Sequence, residues 1–233
     1  MAPPAQRLKR AAAHGSFTLK DLLVVFGVTA LLVFVVFVQY PRARDGAWFI
    51  RCTSHLKQIG LSFKTFAIDN NEKYPFELSV TNWGTMEMIT NKAVWPHYAV
   101  MSNELSTPKI LVCPADRRRS PADSFLNVLP DSAKHAVPFD DRHLSYFVGV
   151  DGTQELPNSL LSGDRFLGMN GERLSPGLRF VSTNQVLRWV KSWHYQGRGN
   201  LLLSDGSVQQ ASSSRMQELF IAGGIETNRF LIP

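Results

Sequence analysis

The stretch Ser16-Phe17-Thr18-Leu19-Lys20-Asp21 leads straight into residues 22–38, seventeen uncharged and mostly apolar positions reading LLVVFGVTALLVFVVFV. Such a run reads as one membrane-spanning helix, since about 20 residues at about 1.5 Å each cross the hydrocarbon core. Tyr40 suits the interface at its end, and helical neighbours supply the missing length. Before the run lies a short basic leader, residues 1–16, carrying Arg7, Lys9 and Arg10; Lys20 adds a fourth base, and Asp21 is the one acid among the first 21 residues. This bias predicts a cytoplasmic leader and places the rest of the chain across the membrane. A cleaved secretory signal has an apolar core of about 7–15 residues and ends in small ones. Here the run is longer and ends Phe37-Val38-Gln39-Tyr40-Pro41, so the span, residues 17–40, is expected to be retained.

Beyond the span, Pro41 removes a helical hydrogen bond and predicts a bend. Phe49, Cys52, Leu56, Ile59, Phe63 and Phe66 then recur three or four apart, a narrow apolar seam of helical period, with Lys57, Gln58, Ser62 and Lys64 falling off it. A helix over residues 47–68 follows, stopped by Asp69-Asn70-Asn71, whose side chains compete for backbone hydrogen bonds. The seam is expected to pack on a sheet rather than form a coiled coil. Residues 41–70 are thus the outer half of one long bent helix, and residues 71–233 a β-rich domain.

In that domain short apolar runs at 109–112, 144–150, 178–181 and 201–203 alternate with turn clusters and read as strands. Asp151-Gly152 and Asp205-Gly206 are read as tight hairpin turns, because two-residue hairpins need positive φ. Residues 115–143, with Arg117-Arg118-Arg119 and three prolines, look like a long irregular insertion. A last helix is expected over 213–222, ended by Gly223-Gly224. Trp83, Trp95, Trp189 and Trp193 are assigned to the core; Trp193 beside His194 and Tyr195 offers a sugar-stacking face as the alternative.

The net charge of +6 is shared between the first 21 residues, four bases against one acid, and the remainder, with 21 bases and 18 acids. The high pI therefore belongs substantially to the leader, and no nucleic-acid surface is required. Arg117–Arg119 reads as a solvated loop before it reads as a contact for an anionic partner. About 160 residues after the helix suffice for one core of ordinary domain size. The two cysteines lie where disulfides persist. A Cys52–Cys113 bond would staple the long helix to the domain; alternatively Cys52, on the seam, is a small buried hydrophobe.

Phe-Thr-Leu-x-acid entering an apolar helix resembles the prepilin-type N-terminus of type IV pilins and type II secretion pseudopilins. The resemblance implies cleavage by a prepilin peptidase between Ser16 and Phe17, methylation of the new N-terminus, and pairing of Asp21 with a neighbouring subunit's amino group. The family favours Gly and Glu where this chain has Ser16 and Asp21. Cys52-Thr53-Ser54-His55-Leu56-Lys57-Gln58-Ile59-Gly60, Asp69-Asn70-Asn71-Glu72-Lys73-Tyr74-Pro75, Cys113-Pro114-Ala115-Asp116, Ser145-Tyr146-Phe147-Val148-Gly149 and Gly163-Asp164-Arg165 resemble landmarks of a bacterial pseudopilin-like family. The last is His194 leading to Asp205-Gly206, with ten residues between where the family usually has nine.

Catalytic signals are weak. His55, His97, His135, His143 and His194 show no zinc spacing. Asp140-Asp141-Arg142-His143 reads as a loop salt bridge, and no Gly-x-Ser-x-Gly elbow supports a triad from His194 and Asp205. Asp69-Asn70-Asn71-Glu72 and Asp151-Gly152-Thr153-Gln154 offer oxygens suited to Ca²⁺, but turn chemistry accounts for them; no cofactor or metal is expected. The expectation is an α+β, pilin-like, non-catalytic subunit. It would be single-pass in a bacterial cytoplasmic membrane with its domain periplasmic or extracellular. Its partners would be the bilayer, the prepilin peptidase and other pilin-like subunits. The alternatives are a non-polymerising anchored binding protein and, third, an anchored hydrolase.

Overall fold

The computed structural model describes residues 18–126, 138–190 and 197–233. Helix α1 spans Leu19–Asp69 as a single element, so the two helical segments read from the sequence join through Pro41. The first unit ends at Ala43 and the second runs from Arg44 to Pro233. Within the second unit the seam is buried as its period demands: Cys52, Leu56, Ile59 and Phe63 have no exposed surface and Phe66 is 5% exposed. Ser62, expected off the seam, is only 3% exposed; its hydroxyl donates back to Gln58 O at 3.0 Å, which satisfies it inside the helix. At the helix end the Asn70 amide caps Phe66 O at 2.8 Å, and Asn71 and Glu72 take left-handed backbone angles.

Among the described residues nine strands follow: β1 (Tyr146–Gly149), β2 (Leu160–Asp164), β3 (Leu167–Met169), β4 (Glu172–Arg173), β5 (Gly177–Ser182), β6 (Leu187–Trp189), β7 (Arg198–Leu203), β8 (Val208–Ser212) and β9 (Thr227–Ile232). The main sheet has the order β5-β9-β1-β2-β7-β8, and its pairs are antiparallel. A smaller sheet has the order β4-β3-β6. Both faces of the central strands are covered, which is why Tyr146–Val148 on β1 and Leu201–Leu203 on β7 read as unbroken apolar runs rather than an alternation. Tyr146, Val148, Leu161, Leu202 and Leu231 point into the core built on the outer half of α1. Their neighbours Phe147, Leu160, Leu201, Leu203, Phe230 and Ile232 point the other way, into a second core with Met216 and Phe220. Those last two sit on α4, Ser213–Ala222, which has the bounds the sequence predicted; the Ser212 hydroxyl caps its start and Gly223 its end. Gly60 permits the close approach of α1 to the sheet, since a Cβ there would lie 2.6 Å from Leu202 Cδ1.

Three expectations are corrected. Residues 109–112 are no strand: Pro108–Leu111 forms a 3₁₀ turn, nucleated by Pro108 in its first turn and by the Thr107 hydroxyl accepting from Lys109 N–H at 3.4 Å. It belongs to a region of short turns with α2 (Trp95–Ala99) and α3 (Ser102–Leu105), where Pro75 and Pro96 also sit in first turns. The Asp-Gly pairs are not two-residue hairpins. Only Gly206 has positive φ, at 88°, and it closes a longer β7–β8 loop with its N–H on Leu203 O at 2.9 Å. Asp151-Gly152 lacks positive φ altogether. Trp83 does not join the core. It is 82% exposed with φ 61°, turned outward at the end of the 3₁₀ turn Val80–Asn82, while Trp189 is buried and Trp95 packs against the core.

Candidate functional site

Leu19–Tyr40, 22 residues with mean hydropathy 2.8 and none of it buried, is among the described residues the one helix long and apolar enough to cross a membrane. Asp21 sits at its mouth. The Thr18 N–H and hydroxyl donate to Asp21 Oδ2 at 3.0 and 2.8 Å, and Asp21 N–H donates back to the Thr18 hydroxyl at 3.3 Å. Thr18-x-x-Asp21 is thus a reciprocal cap that opens α1, a signal present in the sequence as Thr followed three residues later by an acid. Ser16 and Phe17, the two positions of the expected cleavage, lie outside the described residues, as do His135 and the His194 segment from 191 to 196.

Cys52 and Cys113 are joined by a disulfide, with Cα atoms 5.2 Å apart at a sequence separation of 61. The disulfide reading of Cys52 therefore holds over the alternative of an unbonded thiol, and the bonded residue is wholly buried on the seam. The bond fixes the Cys113-Pro114-Ala115-Asp116 turn against α1, where the His55 ring meets Val112 O at 3.1 Å.

The polar landmarks converge on bonding within the fold. Asp116 is 3% exposed and pairs with Arg165, 4% exposed, through Nε at 2.7 Å and a second guanidinium nitrogen at 3.1 Å. Ser145 Oγ and Arg118 N–H add donors to the same carboxylate at 3.1 and 3.3 Å. Asp164, next along β2, accepts from the Asn200 backbone and side-chain amides at 2.7 and 3.2 Å. The Asn200 side-chain oxygen in turn accepts from the Thr53 hydroxyl on α1 at 2.8 Å. Tyr74 donates to Ser204 O at 2.7 Å, and the Ser159 and Ser204 hydroxyls meet at 2.8 Å. Asp205, read as a turn residue, accepts from Ser207 N–H at 2.7 Å. With Gly206 it flanks an open groove of about 590 Å³ against Lys57, Gly60, Leu61 and Lys64 of α1.

Pairs that resemble catalytic ones are otherwise engaged. Asp140 binds Arg142 at 2.9 and 2.6 Å, the loop salt bridge expected, while Asp141 caps α2 through Val94 and Trp95 N–H at 2.9 and 2.8 Å. His143 faces Ser120 O at 2.7 Å. Thr85 and His97 form a hydroxyl–imidazole pair at 2.7 Å, but they are 2% and 0% exposed, and among the described residues the far His97 nitrogen has no hydrogen-bond partner to orient it. Burial lowers the His97 pKa to about 4, so the ring is neutral near pH 7. A nucleophile with no path to substrate lacks the access that such catalysis requires. Of the two oxygen clusters weighed for Ca²⁺, Asp151 is held by the Arg229 side chain at 2.9 and 2.6 Å. Among the described residues no three His, Cys, Asp or Glu side chains are grouped to hold a metal ion. No protein-family model, no curated protein and no solved structure matches the chain.

Proposed function

We propose that the chain is a membrane-anchored, pilin-like subunit of the pseudopilin kind, which acts by assembly rather than catalysis. The observation that carries this reading is α1 itself. One helix joins an unburied apolar segment, Leu19–Tyr40, to an outer half whose seam is the core of an α+β domain. The polar landmarks support it, because Asp116, Arg165, Asp164 and Asn200 are spent on holding that domain together. In this account the bilayer of a bacterial cytoplasmic membrane stores each subunit until apolar segments of several copies pack side by side. The leader stays cytoplasmic, a prepilin peptidase removes it before Phe17, and the domain works outside. Asp21 then enters an apolar bundle, where an unpaired carboxylate costs several kcal/mol. The new α-amino group of a neighbouring copy is its partner.

The test is Asp21→Ala, expressed in the native host. Membrane insertion is expected to be unchanged, because removing one charge from the mouth of the run only raises its hydropathy. Cross-linked oligomers in the membrane are expected to fall at least tenfold. Oligomers at the parental level would discard the pairing role of Asp21.

A further inference from the structure

The chain's positive charge is unevenly placed. Residues 42–57 hold four bases against one acid, and residues 109–119 hold four against one, whereas 58–108 and 120–233 together carry a net charge of −3. The Cys52–Cys113 disulfide ties these two basic segments together near the middle of each. Trp48 adds a second tie: the Arg44 guanidinium lies 4.8 Å and that of Arg117 5.3 Å from its ring. The acid of the second segment, Asp116, is turned inward to Arg165, so it does not offset the outer charges. Arg51 and Lys109 are exposed and line one shallow groove of about 380 Å³ with His55, Ile110, Val112 and Pro114. Arg44 follows Tyr40, the last residue of the apolar segment, by four positions.

We infer that this disulfide-clamped patch binds the phosphodiester headgroups of acidic phospholipids at the surface of the membrane that holds α1. The inference rests on the reading of Leu19–Tyr40 as a membrane span and adds a lipid preference to it. Lipid is favoured over a soluble polyanion because the patch starts where the apolar segment ends. Its composition also combines the two features of a membrane-interface site: arginines and lysine for phosphate, and a tryptophan with apolar neighbours for the boundary region. Each basic group near an anionic leaflet gains enough to change its exposure about fivefold.

The experiment uses the full chain in nanodiscs of phosphatidylcholine alone or mixed with phosphatidylglycerol. Phenylglyoxal labelling of Arg51 and Arg117 and acylation of Lys109 are followed peptide by peptide. In acidic discs at low salt these three are expected to label about fivefold more slowly, with the difference lost at high salt. The exposed Lys73 and Lys92, outside the patch, serve as controls and are expected to label alike in both discs. In the Arg51→Gln/Arg117→Gln variant, Lys109 is expected to lose its shielding. Equal labelling in both discs, with the chain still embedded, would overturn the inference while leaving the span intact. Shielding by soluble polyphosphate in neutral discs, with no difference between disc types, would overturn it in favour of a soluble polyanion. A chain that washes out of both discs at alkaline pH would refute the span reading and the patch with it.

Discussion

Replacing Arg165 with Met tests whether the Asp116–Arg165 pair holds the domain together. Both groups are at least 96% buried, and Asp116 receives two of its four short contacts from the guanidinium. Methionine keeps much of the stem but leaves the carboxylate with only Ser145 Oγ and the Arg118 N–H, at 3.1 and 3.3 Å. Breaking a buried pair from one side costs about 3–5 kcal/mol, because the survivor is an uncompensated charge. Loss of the guanidinium over the Phe166 ring, 4.5 Å away, adds about 0.5–1 kcal/mol. For the full chain in neutral detergent, urea unfolding followed by near-ultraviolet circular dichroism should show the midpoint falling by about 1.8–3 M at a slope of about 2 kcal/mol per M. Removing both charges, Asp116→Leu with Arg165→Met, should recover to within about 2 kcal/mol of the parent, since apolar replacement of a buried pair is often neutral. A single variant within about 0.3 M of the parent, or a double variant no better than the single one, would refute the reasoning.

Two further outcomes follow from the same domain. Cys52→Ala with Cys113→Ala should cost about 4 kcal/mol, the chain entropy released by opening a loop of this length; thiol titration of the unreduced, denatured parent should find no free thiol, and two would contradict the bond. His97 has a folded pKa of about 4, below the value of about 6.5 it takes in the unfolded chain. The unfolded state therefore binds the extra proton, so the contribution of the neutral ring is fully present above about pH 6.5 and falls by about 3 kcal/mol as pH drops through 4. The urea midpoint should decline over that window, and His97→Gln should flatten the decline; an unchanged slope in the variant would show that another group governs it.

The parts of the fold legible in the sequence were those set by local periodicity. The Cys52-to-Phe66 seam, the stop at Asp69 and the helix Ser213–Ala222 follow from spacing and from caps within a few residues. What the sequence hid was set by distant partners. Nothing local distinguishes Asp116 as the mate of Arg165, 49 positions away, or Asp164 as the brace for Asn200, 36 away. The apolar run at 109–112 reads as a strand because its turn is too short to show a period, although Pro108 commits it to a 3₁₀ turn. Trp83 misled for a related reason: hydrophobicity argued for the core, but its left-handed backbone at a turn exit, with Glu87 holding Ser79 and Val80 at 2.6 and 2.8 Å, directs the ring outward. The Thr18–Asp21 cap is a local signal too, an acid three residues after a threonine at the start of an apolar run.

Whether the leader is removed and the subunit can assemble is decided by the N-terminal mass of the membrane-extracted protein from its native host. A chain that begins at Phe17 with a methylated amino group is the predicted result, since assembly through Asp21 needs that amine. A chain that keeps its leader, whole or merely without Met1, would contradict the account and leave a non-polymerising anchored binding protein in its place.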